Sequence, residues 1–223
     1  MANLVKFITT CLGLWSKGGK YYWTWLAGLC LLILSGILAY SNQITQGLFI
    51  TNMRDPISWG FYIGNFTFLV GVAAAAVMLV IPAYVYSWGP IKDVVLLGEM
   101  LAISAIVMCM LFVTVDIGRP DRITHLMPFI GKPHFPVSLL AWDVLVLNLY
   151  FVLNLCIVGY ILYTGFTGRH YKTSVLLPMV LLSIPAAISI HTVTAFLYNG
   201  VAARPFWNAS ILAPRFLASA FCL

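Results

Sequence analysis

Five long apolar runs alternate with short polar connections along the chain, at residues 22–40, 61–86, 94–115, 139–163 and 175–201. Each is close to the ~20 residues an α-helix needs to cross a bilayer. None alternates with the two-residue period of a membrane β-strand, so each predicts a transmembrane helix. Ahead of them, Leu4, Phe7, Ile8, Cys11, Leu12 and Trp15 recur at helical spacing, with Asn3, Lys6, Thr9 and Thr10 off the stripe. That pattern predicts an amphipathic helix lying in the membrane interface. Gly18 and Gly19, between Lys17 and Lys20, separate it from the first span. Tyr22 and Tyr40 bracket that span as an aromatic belt would, and its apolar core exceeds the ~7–15 residues of a signal peptide. Asp55-Pro56-Ile57-Ser58-Trp59 predicts a turn and helix start before the second span,. Pro178 and Pro185 predict kinks in the fifth. Residues 211–223 are apolar apart from Arg215 and Ser219 but too short to cross. They read as the first half of a sixth span, so a chain ending inside a helix, a fragment, is expected.

The expected fold is therefore an all-α integral membrane protein with five transmembrane helices and the start of a sixth. Its organisation is an interfacial helix (1–20), a first transmembrane helix and connection (21–60), a four-helix transmembrane bundle (61–201), and a loop leading into a further helix (202–223). Composition agrees: 62% of residues are hydrophobic and the mean hydropathy is +0.98, whereas soluble domains are roughly half apolar. The net charge of +6 comes from basic residues scattered singly through connections, and no run of like charges marks a nucleic-acid surface. Alternating spans place connections 41–60, 116–138 and 202–210 on one face. The amino-terminal tail, 87–93 and 164–174 lie on the other. Lys17 and Lys20 flank the first span closely, which points to a cytoplasmic amino terminus.

Charge is scarce at 8% of residues, yet Asp116, Arg119, Asp121 and Arg122 crowd into the run Asp116-Ile117-Gly118-Arg119-Pro120-Asp121-Arg122 directly after the third span. Gly118 and Pro120 should end that helix abruptly. The same face collects His125, His134, Arg204-Pro205-Phe206-Trp207-Asn208, and Asp143 about one turn inside the fourth span. One reading is structural: Asp116 pairs with Arg119, three residues on, and locks the turn. The other is a polar pocket at the bundle mouth, where acids and a histidine exchange protons with a bound redox headgroup and arginines hold its oxygens. Tyr62, Asn65 and Thr67 open the second span near that face, and a buried Asn65 amide would require partners.

Deeper in the membrane, Glu99, His191 and Asp143 fall at successive depths across the bilayer. Each is read either as a side chain bonded to a neighbouring helix or as a step in proton transfer, and each carries an insertion cost of up to ~3 kcal/mol if charged. The sequence offers no pair of deep histidines for a b-type haem and no C-x-x-C-H for a covalent one. Its five cysteines lie far apart, so no clustered thiolates are available for an iron–sulfur cluster, and no metal site is expected.

The residues also carry a resemblance. Asp116-Ile117-Gly118-Arg119-Pro120 resembles the D-L-G-R-P signature of the NrfD/polysulfide-reductase membrane subunits. Ala203-Arg204-Pro205-Phe206-Trp207-Asn208, followed by Leu212, Pro214 and Phe216-Leu217-Ala218-Ser219-Ala220, resembles the second signature. Trp59-Gly60 and Phe68-Leu69-Val70-Gly71 are similar to the family's opening helix. The extra first span and Ser138-Leu139-Leu140-Ala141-Trp142-Asp143 look most like the DsrP/HmcC branch of sulfur-metabolism complexes. The resemblance implies an NrfD-type four-helix bundle in spans two to five, in a cytoplasmic (inner) membrane. It implies a subunit reactive with menaquinone or menaquinol, without haem or iron–sulfur cluster of its own. A ferredoxin-type iron–sulfur subunit would dock on the outer face, in a complex that can include a multihaem cytochrome c and cytoplasmic catalytic subunits. On that reading Tyr62, Asn65, Asp116, Arg119, His125, Asp143 and Arg204 line the quinone site. Glu99, His191 and Asp143 relay protons, and Arg122, Trp207 and Asn208 meet the partner. The chain would not be catalytic alone. Two alternatives stand beside this: a secondary transporter or proton channel using Glu99, His191 and Asp143 without redox chemistry, and a structural anchor.

Overall fold

The computed structural model describes residues 2–54, 56–57, 59–126, 130–201 and 204–222, apart from the side chains of Ala2 and Asp93. Asp55, Ser58 and Ala203, which belong to the predicted turn and the second signature, lie outside these residues. Seven α-helices follow in order: α1 (Ala2–Trp15), α2 (Lys20–Gln46), α3 (Phe61–Val80), α4 (Gly89–Asp116), α5 (Leu139–Phe166), α6 (Thr173–Asn199) and α7 (Leu212–Ala220). Five of the helical segments are long and apolar enough to cross a membrane: Lys20–Gln46, Phe61–Val85, Val94–Asp116, Leu139–Phe166 and Thr173–Asn199. The chain is thus a multi-pass membrane protein with the expected spans.

Local chemistry explains the boundaries. Pro90 sits in the first turn of α4, where a missing N–H costs nothing. The helix stops at Asp116 because Ile117 is extended and Gly118 and Pro120 follow; a 3-10 turn then spans Pro120–Leu126. Ser138 caps α5, its hydroxyl oxygen accepting the Ala141 N–H at 3.2 Å,. Beyond α3 the chain continues as a π-helical segment, Ile81–Val85, closed by the Tyr86 N–H donating to the Ile81 carbonyl at 3.3 Å. α6 runs through Pro178 and Pro185 without interruption.

The chain divides into two bodies. In one (residues 1–58 with 162–170) Phe7 of α1 packs edge-on against Tyr163 and Phe166 at the end of α5, with ring centroids 5.7 and 5.4 Å apart. Leu4, Ile8, Leu12 and Trp15 of α1 remain exposed, as do Val5 and Leu14.

The other body (59–161 with 171–223) is the bundle of α3, α4, α5 and α6 with α7 packed on α3 and α6. One core cluster joins Phe66, Val70 and Ala73 of α3 to Ile106 and Cys109 of α4, Leu147 and Tyr150 of α5, and Ile190 of α6. A second joins Val80, Ala83, Val95, Ile157, Leu176 and Val180. Apolar burial drives little helix association in lipid, so close packing and interhelical hydrogen bonds do more of it. Both are present. The Tyr150 hydroxyl donates to the Ala73 carbonyl at 2.9 Å, and Gly98 lets α4 approach α3 so closely that a Cβ there would sit 2.8 Å from Leu79 Cδ1. Leu97, Leu101, Leu111, Leu149, Leu181 and Leu182 stay exposed, a surface suited to hydrocarbon or to another apolar protein face.

Candidate functional site

α5 points one face inward over most of its length: Asp143, Leu147, Tyr150 and Asn154 are all buried at spacings of four, three and four residues. Asp143 begins that stripe at the end of the bundle where α4 finishes. Its side chain is 1% exposed. The Thr194 hydroxyl of α6 donates to Asp143 Oδ1 at 2.9 Å, while Oδ2 has no hydrogen-bond partner. An unpaired carboxyl oxygen in a low-dielectric interior is costly.

That acid lines a cavity of about 140 Å3, formed by Met110, Val113, Thr114 and Ile117 of the α4 exit, Ile123 and Leu126 of the 3-10 turn, and Asp143, Val144, Leu147 and Asn148 of α5. Dry cavities of about 150 Å3 accept a single aromatic ring, so the space is of that size. Its wall is apolar except for Asp143, Thr114 and Asn148. The Asn148 amide donates back to the Val144 carbonyl at 2.8 Å, and the Thr114 hydroxyl to Met110 at 2.7 Å. Asp143 is thus the one acid among the residues that line the cavity, and its Oδ2 is buried beside that space without a partner.

The charged turn is arranged differently from the pairing considered in the sequence. Arg119 pairs with Asp121, not with Asp116: Nε and Nη2 donate to Oδ1 and Oδ2, both at 3.1 Å. The reason is the early helix end. Three-residue pairing needs a continuing helix, but the chain turns at Ile117 and carries Arg119 outward into an exposed fork,. The two guanidinium hydrogen bonds hold the Asp121 carboxyl below its ordinary range. Asp116 is left half-buried with Oδ1 unpartnered, in electrostatic range of Tyr198. The Tyr198 hydroxyl shares a short hydrogen bond with Thr67 and donates to the Ile63 carbonyl at 3.4 Å. Around it stand Trp59, Trp207 and Phe216, with centroids 5.0, 5.0 and 5.5 Å away.

Of the other residues expected at the mouth, none lines the Asp143 cavity. Tyr62 is half-buried, its ring 6.5 Å from Phe112. Asn65 satisfies its amide within its own helix, donating to Phe61 at 2.8 Å. His125 and Arg122 are exposed on the turn, and Gly131 packs so tightly on the His125 backbone that a Cβ would overlap it. Arg204 lies half-buried with its guanidinium 6.0 Å from the Trp207 ring. Trp207 also stacks on Trp59 at 5.7 Å, and Asn208 is exposed.

The three intramembrane groups do not touch one another. Asn154, eleven residues beyond Asp143, lies ~16 Å further along α5; Glu99 is within electrostatic range of Tyr150 in that stripe. Glu99 is 0% exposed; Oε2 accepts from the Tyr84 hydroxyl at 3.4 Å, and Oε1 has no partner. His191, 2% exposed with Nδ1 unpartnered, borders a separate apolar cavity of about 380 Å3 between α3, α6 and α7. Among the described residues, no three His, Cys, Asp or Glu side chains gather as metal ligands. Sequence reasoning missed Tyr84, Tyr150, Asn154 and Tyr198. The Asp143–Tyr150–Asn154 spacing was visible as one polar edge on an apolar helix; Tyr84 had no comparable signal.

A helical bundle with membrane-spanning helices and a buried acid beside a ring-sized cavity at one end defines a polytopic membrane protein. The chain belongs to the polysulphide reductase NrfD family, whose profile matches residues 50–223. It is 28% identical, over 88% of its length and 48% of the relative's, to a protein of Halobacterium salinarum assigned as a membrane subunit of dimethyl sulfoxide reductase. It is 21% identical to a selenate reductase subunit from Mesobacillus selenatarsenatis, over 90% of the chain and 53% of the relative. It is 20% identical to the Hdr-like menaquinol oxidoreductase integral membrane subunit of Archaeoglobus fulgidus, over 85% and 46%. The chain spans about half the length of these curated relatives. Family membership places it among the NrfD-type membrane proteins.

Proposed function

We propose that this subunit binds a quinone or quinol, with menaquinone as the expected species, at the mouth formed by the α4 exit, the turn after it and the start of α5. It would exchange electrons with a docked iron–sulfur protein of the ferredoxin type, in a complex related to the DsrP/HmcC branch of sulfur metabolism. The observation that carries this reading is the cavity beside Asp143, an apolar, ring-sized space lined by a buried acid that has one carboxyl oxygen without a partner. Quinol oxidation releases two electrons and two protons, so a site performing it needs a proton acceptor beside the ring oxygen. Asp143 Oδ2 supplies that group. Thr194 holds the opposite oxygen and so fixes the carboxyl's direction. Asp116, Tyr198 and Thr67 provide a second polar cluster at the same mouth, where Asp116 can pass protons outward. Tyr62, Asn65, His125 and Arg204 would line the path of the headgroup or its entry. Arg122, Trp207 and Asn208 would meet the partner. Glu99 and His191 would serve a proton path toward the other membrane face.

The name of the Archaeoglobus relative supports the quinol, since that protein is described as belonging to a menaquinol oxidoreductase. The test is a quinone-analogue titration of the purified complex, followed by quinol-linked electron transfer. Asp143→Asn should cut turnover by ~10²-fold or more, the usual scale of a lost general base, while the analogue still binds. Unchanged turnover in Asp143→Asn would remove the pocket from the mechanism.

A further inference from the structure

The opposite end of the bundle, where α4 and α6 begin, carries a second polar opening. Ser87, Lys92, Tyr171 and Thr173, with Tyr84, Leu176 and Leu177, line a cavity of about 40 Å3 there, room for roughly three to four waters at the ~10–15 Å3 each requires. Tyr84 stands between this vestibule and Glu99. It lines the cavity, packs edge-on against Tyr171 with centroids 6.4 Å apart, and donates its hydroxyl to Glu99 Oε2 at 3.4 Å. Glu99 is fully enclosed, with Oε1 unpartnered.

The backbone puts Tyr84 in that position. An α-helix turns ~100° per residue, so the wider winding of the Ile81–Val85 π-helical turn aims Tyr84, which lies within it, differently from a continued α-helix. π-bulges of this kind recur at functional sites. The 3.4 Å bond is long for an O–H donor,, and a small rotation about the tyrosine side chain breaks it.

We propose that Tyr84 is the switch of a proton port that joins Glu99 to the vestibule. This rests on the reading of Glu99 as the far end of the proton path. The hydroxyl passes its proton to Glu99 Oε2 and takes one from vestibule water on its other side, so Tyr84 itself is unchanged. In the reverse direction the same two bonds exchange. Among the described residues that line the vestibule, the one fixed charge is the Lys92 ammonium, which opposes entry of metal cations into so small a space while leaving proton hopping along water available. The carried species is therefore the proton rather than sodium.

The test uses the intact complex reconstituted in vesicles with an entrapped pH dye and a short-chain quinol. Tyr84→Phe keeps the ring and removes the hydroxyl. It should lower transmembrane proton movement per electron at least tenfold, with quinol oxidation kept within twofold of the parent. Glu99→Gln should do the same. If Glu99→Gln abolishes proton movement and Tyr84→Phe does not, the port lies elsewhere and this proposal fails alone. If neither changes it, the reading of Glu99 as a relay fails as well. Labelling of Glu99 by a hydrophilic carbodiimide gives an activity-free check: Tyr84→Ala should speed it severalfold by opening the vestibule, and an unchanged rate overturns the gating role.

Discussion

Thr194→Val separates what holds the Asp143 carboxyl from what the carboxyl does. Valine keeps the branched shape but loses the hydroxyl that donates to Asp143 Oδ1 at 2.9 Å. Oδ2 already lacks a partner, so the variant leaves both oxygens of a 1%-exposed acid unsatisfied. Hydrogen bonds to charged groups contribute ~1.5–3 kcal/mol in water-soluble proteins. Interhelical bonds in bilayers average ~0.6 and reach ~1.7 kcal/mol. Because no second donor shares this load, the upper half applies, and a loss of about 1–2 kcal/mol is expected. A double-mutant cycle with Asp143→Leu, read by reversible unfolding of the purified protein in mixed micelles, isolates that coupling. Asp143→Asn completes the set, since its amide oxygen can still accept from Thr194 while no exchangeable acid remains. Stability should therefore fall in Thr194→Val and hold in Asp143→Asn, and quinol turnover should fall most in Asp143→Asn. A coupling energy within ~0.4 kcal/mol of zero, the scatter of independent sites, would refute the tie between α5 and α6. Equal turnover in the two variants would refute the division of roles.

Gly131→Ala forces a Cβ into the His125 backbone, so the turn must shift. Because Ile123 and Leu126 of that turn wall the cavity, quinone-analogue affinity should drop severalfold in an inhibitor titration. The Arg119–Asp121 fork depends on an ionised Asp121, whose carboxyl Arg119 holds below its ordinary range. Its contribution is complete above the unfolded value of ~3.9 and disappears as pH falls through the lower native value, so hydrogen exchange of residues 117–122 should accelerate only in that acidic window. Asp121→Asn should abolish this pH dependence. Tyr150→Phe removes the bond from α5 to the Ala73 carbonyl of α3 and should cost ~0.6–1.7 kcal/mol in the same unfolding assay, with turnover kept.

The spans were legible because crossing a bilayer is a one-dimensional demand, a minimum length of apolar chain. All five were readable to within a few residues; the largest difference is α2, which continues to Gln46 through the polar Ser41-Asn42-Gln43 that hydropathy assigns to a loop. The helix stop after Asp116 was equally local, a matter of Gly118 and Pro120. Depth in the membrane followed from residue number, which is why Glu99 and Asp143 were placed at opposite ends.

Rotation about the helix axis and the fate of each polar atom are a different kind of fact. That Asp143 meets Thr194, that Glu99 meets Tyr84, and that His191 borders an apolar cavity instead of either acid depend on which faces of separate helices meet. The π-helical turn at Ile81–Val85 changes those faces by a step that hydrophobic periodicity does not register. Charge pairing at the Asp116–Arg122 run also turned on backbone direction, since Arg119 leaves the helix and finds Asp121 in solvent. By itself the sequence determined the number, order and depth of the membrane helices, because apolar length alone governs them. Tertiary structure decided which carboxyl oxygens stay unpaired, because satisfying a buried polar atom takes a partner at hydrogen-bond distance from another part of the chain.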